Sequence, residues 1–247
     1  MILLETKNLS HRFPDGRKPF CNVNLKISRG EFILMTGRNG SGKSMLLQHF
    51  NGLYKPFEGE ILLSGKKIHE NMPETRRRIG YVFQNPDAQI IGDTVFSDIL
   101  FGLINIGTPK NEASKIARET MSETGLDDFA DRFPYDLSGG EKRRLAIAGV
   151  IDMDPDIVIF DEPFENLDYE GVVKVLEIML NLHGKGKTLI VVTHDLEKLA
   201  AHSDRIIAME KGSIVIDGRT EEVCSHLHRY GVRSFTAGDI EKMSWLK

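Results

Sequence analysis

The sequence predicts an α/β fold: a mostly parallel sheet covered by helices, preceded by an antiparallel β subdomain and interrupted by a helical insertion. Three observations predict it. The apolar run Glu31-Phe32-Ile33-Leu34-Met35-Thr36 leads into a glycine-rich loop and then into residues 43–50, apolar at helical spacing. Farther on, apolar runs at 156–160, 187–192, 205–210 and 213–216 enclose a helical pattern at about 169–183, the βαβ order of parallel strands. Between these halves, residues 94 to 153 carry helical patterns broken at Gly107-Thr108-Pro109, Gly125 and Phe133-Pro134.

Taken in order, residues 2–8 and 22–27 read as strands around the turn Phe13-Pro14-Asp15-Gly16, an antiparallel start. Two more strands fit 60–63 and 79–83. At 247 residues the chain builds its core without disulfides, and Cys21 and Cys224 are in no metal-ligand spacing, as a reducing cytosolic setting implies. The formal charge of -4 argues against a nucleic-acid partner. No stretch reaches the ~18–20 apolar residues that span a bilayer, so the chain is read as soluble and any membrane role as acting through a partner.

The glycine-rich loop is Gly37-Arg38-Asn39-Gly40-Ser41-Gly42-Lys43-Ser44. Residues without side chains let successive N–H groups surround phosphate oxygens at a helix N-terminus. Lys43 would reach the β and γ phosphates, and Ser44 would offer its hydroxyl to Mg²⁺, a hard cation that takes oxygen ligands. Asp161 and Glu162 end the apolar run 157–160, and His194 follows the run 188–193, so all three are expected at the carboxyl edge of the sheet, where open α/β sheets bind ligands. Ser138, Gly139 and Gly140 precede a helix and form a second N-terminal anion site, with Ser138 as its N-cap.

The glycine loop, then Leu137-Ser138-Gly139-Gly140-Glu141-Lys142-Arg143-Arg144, then Ile157-Val158-Ile159-Phe160-Asp161-Glu162, in this order, resemble the ATPase subunit of an ABC transporter, over roughly residues 3 to 217. The resemblance implies a P-loop NTPase of the ABC ATPase fold, with ATP and Mg²⁺. Glu162 would polarise the attacking water, and Asp161 would stand in the magnesium shell. His194 would bond the γ-phosphate, Gln84 would touch Mg²⁺ or the water, and Phe13 would stack on adenine. Met45 stands where the family usually has Thr, and Glu141 where it usually has Gln. Two subunits would pair head to tail, so that Ser138, Gly139 and Gly140 of one close on the phosphate held by the other. Asp168, in Asn166-Leu167-Asp168, would communicate across that dimer.

Within the family, Phe83-Gln84-Asn85-Pro86-Asp87-Ala88-Gln89-Ile90, followed by residues 94–99 and Phe101-Gly102, looks most like the ATPases of energy-coupling factor importers of vitamins or cobalt and nickel ions. That implies a homo- or heterodimeric ATPase pair, a transmembrane coupling subunit and a substrate-binding membrane subunit, at the cytoplasmic face of the membrane. Val95, Phe96, Ile99 and Leu100 would help offer a groove to a membrane subunit's helix, although for any single one of them the core of the helical subdomain is the better expectation. The expected organisation is an ATPase domain over 1–217, with a helical subdomain inserted at about 86–153, and a C-terminal extension over 218–247 that serves dimer contacts or covers the sheet. A conventional ABC importer's ATPase and a soluble ABC-type ATPase outside transport are the other readings. A two-half or coiled-coil repair or translation ATPase, and a P-loop kinase, lack support in the pattern.

Overall fold

The computed structural model describes residues 1–246, apart from the side chain of Glu241. An antiparallel sheet of order β2-β1-β4-β5 is built from β1 (Ile2–His11), β2 (Phe20–Ser28), β4 (Glu58–Leu63) and β5 (Lys66–Lys67). A second sheet runs β10-β9-β3-β8-β7-β6. Its members are β3 (Phe32–Thr36), β6 (Ile79–Val82), β7 (Ile157–Asp161), β8 (Thr188–Val192), β9 (Arg205–Glu210) and β10 (Ser213–Arg219). All its pairings are parallel except β9 with β10.

Strands β3, β7 and β8 are buried at every residue, as continuous apolar runs in a sheet covered on both faces should be. Their side chains divide with period two. Phe32, Leu34, Val158, Phe160, Leu189 and Val191 join a core with α5 (Gly139–Ile151) and α6 (Tyr169–Gly184). Ile33, Met35, Ile157, Ile159, Ile190 and Val192 join another with the antiparallel sheet and α1 (Lys43–Phe50). A slip of one residue would exchange these two cores wholesale.

A short helix, α2 (Met72–Arg78), and strand β5 lie where no sequence expectation had been set. In the insertion, α3 (Val95–Asn105) and α4 (Lys110–Thr124) pack on α5 around a third core that includes Val95, Ile99, Leu103 and Leu145. Val95 and Ile99 are fully buried there, so of the two readings the subdomain's own core holds for them and neither faces a partner. Phe96 and Leu100 pack partly against the same core. Helix α3 starts at Thr94, whose hydroxyl and Ser97 form a reciprocal cap, and α4 ends on left-handed Gly125. After β10 the chain places Cys224, Leu227, Val232, Phe235 and Ile240 into the core beside Leu199 and Ala200.

Candidate active site

Register brings the site together. Met35 of β3 and Asp161 of β7 both pair with Val192 of β8, so the three strands end level and the loops that follow share one edge. Beyond them lies a cleft of about 510 Å³, lined by residues 39–45, Gln84, Asp161, Glu162, Glu165, His194 and Asp195, among others.

The glycine loop holds a conformation that its sequence permits. Gly37, Gly40 and Gly42 have positive φ, and a Cβ on Gly37 would overlap the Met209 carbonyl. The Lys43 ammonium curls into the loop, donating to the carbonyls of Gly37 at 2.7 Å and Arg38 at 3.1 Å. Burial pulls its pKa below the ordinary value, opposed by the negative charges of Glu162 and Asp161. Arg38 turns away from the cleft and rests its guanidinium on Gly231 of the C-terminal segment.

Asp161 is gripped from two sides. The Ser44 hydroxyl donates to Oδ1 at 3.0 Å and the Tyr81 hydroxyl to Oδ2 at 2.7 Å. Burial and the Asp161 charge raise the Tyr81 pKa, which keeps the phenol a donor. Ser44 and Asp161 therefore present adjacent hard oxygens, as a magnesium ion shared with phosphates requires. Among the described residues no three His, Cys, Asp or Glu side chains form a metal cage.

Glu162 adopts a left-handed backbone, φ 46°, while its N–H donates to the Val192 carbonyl at 3.0 Å. That strained conformation turns the side chain toward His194, whose Nε2 lies 3.2 Å from Oε1. Burial pushes the Glu162 carboxyl up to about 7. A backbone bond from His194 and the Lys43 charge oppose the rise, while Asp161 and Asp195 add to it. Burial and the Lys43 charge push His194 below its ordinary value, which favours a neutral imidazole beside the carboxylate.

Gln84 lines the cleft and donates to Glu165 at 2.7 Å. Arg143, nearly fully buried on α5, donates to the carbonyls of Phe83 and Gln84, each at 2.7 Å. The helical insertion thus grips the Gln84 loop directly. Tyr81, Glu165 and Arg143 were missed from the sequence. The available signals were a tyrosine within an apolar strand and a cation on an otherwise apolar helix face.

The structure separates the remaining expected residues from this cleft. Phe13 does not line it; its half-buried ring lies edge-on to His11, with centroids 4.9 Å apart, and the Arg17 guanidinium lies over it at 5.2 Å. Ser138, Gly139 and Gly140 are also outside the lining, at the start of α5. Glu141 accepts from the Ser138 N–H at 2.7 Å, and that bond holds its carboxyl below the usual range, so its charge is used within the cap. A Cβ on Gly140 would stand 3.9 Å from Gly171, whose N–H Asp168 caps at 2.8 Å. Asp168 and the Ser138 loop therefore share one face.

A phosphate loop feeding a helix, two acids and a histidine at level strand ends, and a helical insertion gripping the glutamine loop define an ATP-hydrolysing P-loop cassette. The ABC transporter family pattern matches residues 20–165. An energy-coupling factor transporter ATP-binding protein of Methanocaldococcus jannaschii is 40% identical, covering 91% of this chain and 82% of that protein. Its namesake in Methanosarcina acetivorans is 43% identical, covering 92% and 82%. The structure superposes with TM-score 0.81 on cbiO1 of Clostridium perfringens, described as part of the ABC transporter complex cbiONQ, at 35% identity over 90% of each chain. It superposes with TM-score 0.80 on a dimeric ATP-binding cassette bound to ADP and phosphate after hydrolysis, at 32% identity, covering 88% of this chain and 99% of that one. This chain belongs to the ABC transporter ATP-binding family, in its energy-coupling factor branch, and is an ATPase.

Replacing Arg143 by Met leaves the Phe83 and Gln84 carbonyls without their donor. A loss of about 1–3 kcal/mol in a urea melt is expected, with amide exchange at Gln84 and Asn85 accelerated more than in the strands of the sheet.

Proposed function

We propose that this chain powers import of a metal ion or vitamin from the cytoplasmic face of a membrane, as one of a pair of ATPase subunits bound to a transmembrane coupling subunit and a substrate-binding membrane subunit. Among the described residues no helix is long and apolar enough to cross a membrane, so contact with a bilayer protein falls to a surface of this fold. The observation that carries the proposal is a groove of about 770 Å³ between α2, α3 and the loop after Gln84. Phe101 and Ile91, 50% and 61% exposed, line it with Ile106, Met72 and Met153, while Arg76, Arg77 and Glu74 give it charge. Large exposed apolar side chains with charged neighbours suit an amphipathic helix laid in the groove. Gln89, which reaches the groove, accepts from the Phe83 N–H at 3.0 Å and donates to the Ala146 carbonyl at 2.8 Å, so movement of a docked helix bears on the Gln84 loop.

In the mechanism, residues 37–44 cradle the phosphates of ATP, with Lys43 exchanging its loop carbonyls for phosphate oxygens. Ser44, Asp161 and Gln84 would hold Mg²⁺, which neutralises developing phosphate charge. Ionised Glu162 accepts the proton of the attacking water, and neutral His194 beside it donates Nε2–H to the γ-phosphate. Ser138, Gly139 and Gly140 close on the nucleotide of the second subunit, with Asp168 on the same face. ATP binding favours the closed pair, and hydrolysis reopens it.

Because the Glu162 carboxyl is raised to about 7, turnover is expected to climb between about pH 6 and 8 as it ionises. The stability it contributes runs the other way: present in full below pH 4.5, lost as pH rises through about 7. A flat pH–rate profile over that range would contradict the assignment. For the groove, affinity purification from detergent-solubilised membranes is expected to recover two small membrane proteins with the wild-type chain. Phe101→Asp should lose both while retaining basal ATPase turnover; equal recovery with the variant would count against docking there.

A further inference from the structure

Two segments outside the sheet carry the paired side chains of the cleft. One runs from Glu162 to Tyr169 at the start of α6, and the other from His194 through the turn Leu196–Lys198. The C-terminal segment reaches both. Trp245, the only tryptophan, stacks on Tyr169 with ring centroids 5.4 Å apart and planes inclined by 27°. The Lys198 ammonium lies 5.2 Å from the centre of the Trp245 ring and 5.5 Å from that of Phe164, and it bonds Asp195 at 2.6 Å. Phe164 and Asp195 both line the cleft. Two further ties secure the same side: Arg233 pairs with Glu197 at 2.6 Å, and Ser244 Oγ lies 3.2 Å from His202 Nε2.

We propose that Trp245 and Lys198 are positioning residues for ATP hydrolysis: the indole joins Tyr169 to Lys198 and so holds the segments bearing Glu162 and His194 at their working separation. The inference rests on the roles given above to those two residues. Its physical basis is the number of constraints on Glu162. The sheet holds the backbone N–H of Glu162 through Val192 and that of Thr193 through Met35, and beyond these bonds the two segments run on outside the ladder, toward Tyr169 and Lys198. An ammonium between two aromatic faces and a carboxylate is attracted to all three. Lys198 then draws the two segments together at one point, and Trp245 closes that point from outside.

The test measures kcat and the KM for ATP, with the thermal midpoint, in the full chain and in Trp245→Ala, Trp245→Phe, Lys198→Met and the Trp245→Ala/Lys198→Met double variant. Trp245→Ala and Lys198→Met are each expected to lower kcat about tenfold with KM changed less than about twofold. Trp245→Phe keeps an aromatic face and should recover most of the rate. The double variant should be no slower than the slower single one, because both remove the same clamp. A Trp245→Ala kcat within about twofold of wild type overturns the proposal. So do losses that multiply in the double variant, or a fall in kcat that simply follows KM or the thermal midpoint and is not recovered by Phe. Glu162→Gln in the same assay separates the two levels. Its inactivity beside a fully active Trp245→Ala overturns the clamp alone, whereas its normal turnover overturns the site assignment and the clamp with it.

Discussion

The hydrogen-bond register that joins β3, β8 and β7 governs the chemistry of this protein. Because Met35, Val192 and Asp161 stand level, the phosphate loop, the two acids and the histidine leave the sheet at one height and converge without any long connection. The same register divides the side chains of these strands between two cores, so the packing that stabilises the sheet also fixes where its loops emerge. The active edge and the core are set by one alignment.

Charge balance in the cleft follows from that convergence. Lys43, Glu162 and His194 meet beside Asp161 in a partly desolvated space: burial shifts all three, the carboxylate charges oppose the fall at Lys43, and the Lys43 charge opposes the rise at Glu162 and adds to the fall at His194. Asp161 is committed by two hydroxyl donors to remain an acceptor at the loop, whereas Glu162 has a neutral imidazole beside it and a carboxyl raised toward neutral pH. Two adjacent acids thereby stand in different surroundings, as the proposed division between ligating Mg²⁺ and accepting a proton requires.

The residues legible in the sequence were those whose chemistry depends on a short contiguous pattern: the loop from Gly37 to Ser44, Asp161 and Glu162 after their strand, His194 after its own, and Ser138 at its cap. The fold was legible for the same reason, since apolar runs and helical spacing are local. The illegible part consists of contacts between distant segments. Tyr81 meets Asp161 across 80 residues, Gln84 meets Glu165 across 81, and Arg143 meets Phe83 across 60. For Val95 and Ile99 the sequence left two readings open, because an apolar helix face facing its own subdomain and one facing a partner have the same periodicity, and the structure selects the core. Phe101 and Ile91 are told apart from them by exposure alone. The path of the C-terminal segment over the Glu162 and His194 loops has no local signature at all.

In the proposed mechanism one chain holds only part of its catalytic site, and a second subunit completes it. ATP affinity and turnover of Ser138→Arg test this most directly, because Ser138 stands outside the cleft of its own chain. The account predicts ATP affinity within about twofold of wild type and turnover reduced by roughly a hundredfold or more, since the blocked contact belongs to the partner's γ-phosphate. Turnover equal to wild type would contradict it, and would place the whole reaction within a single chain.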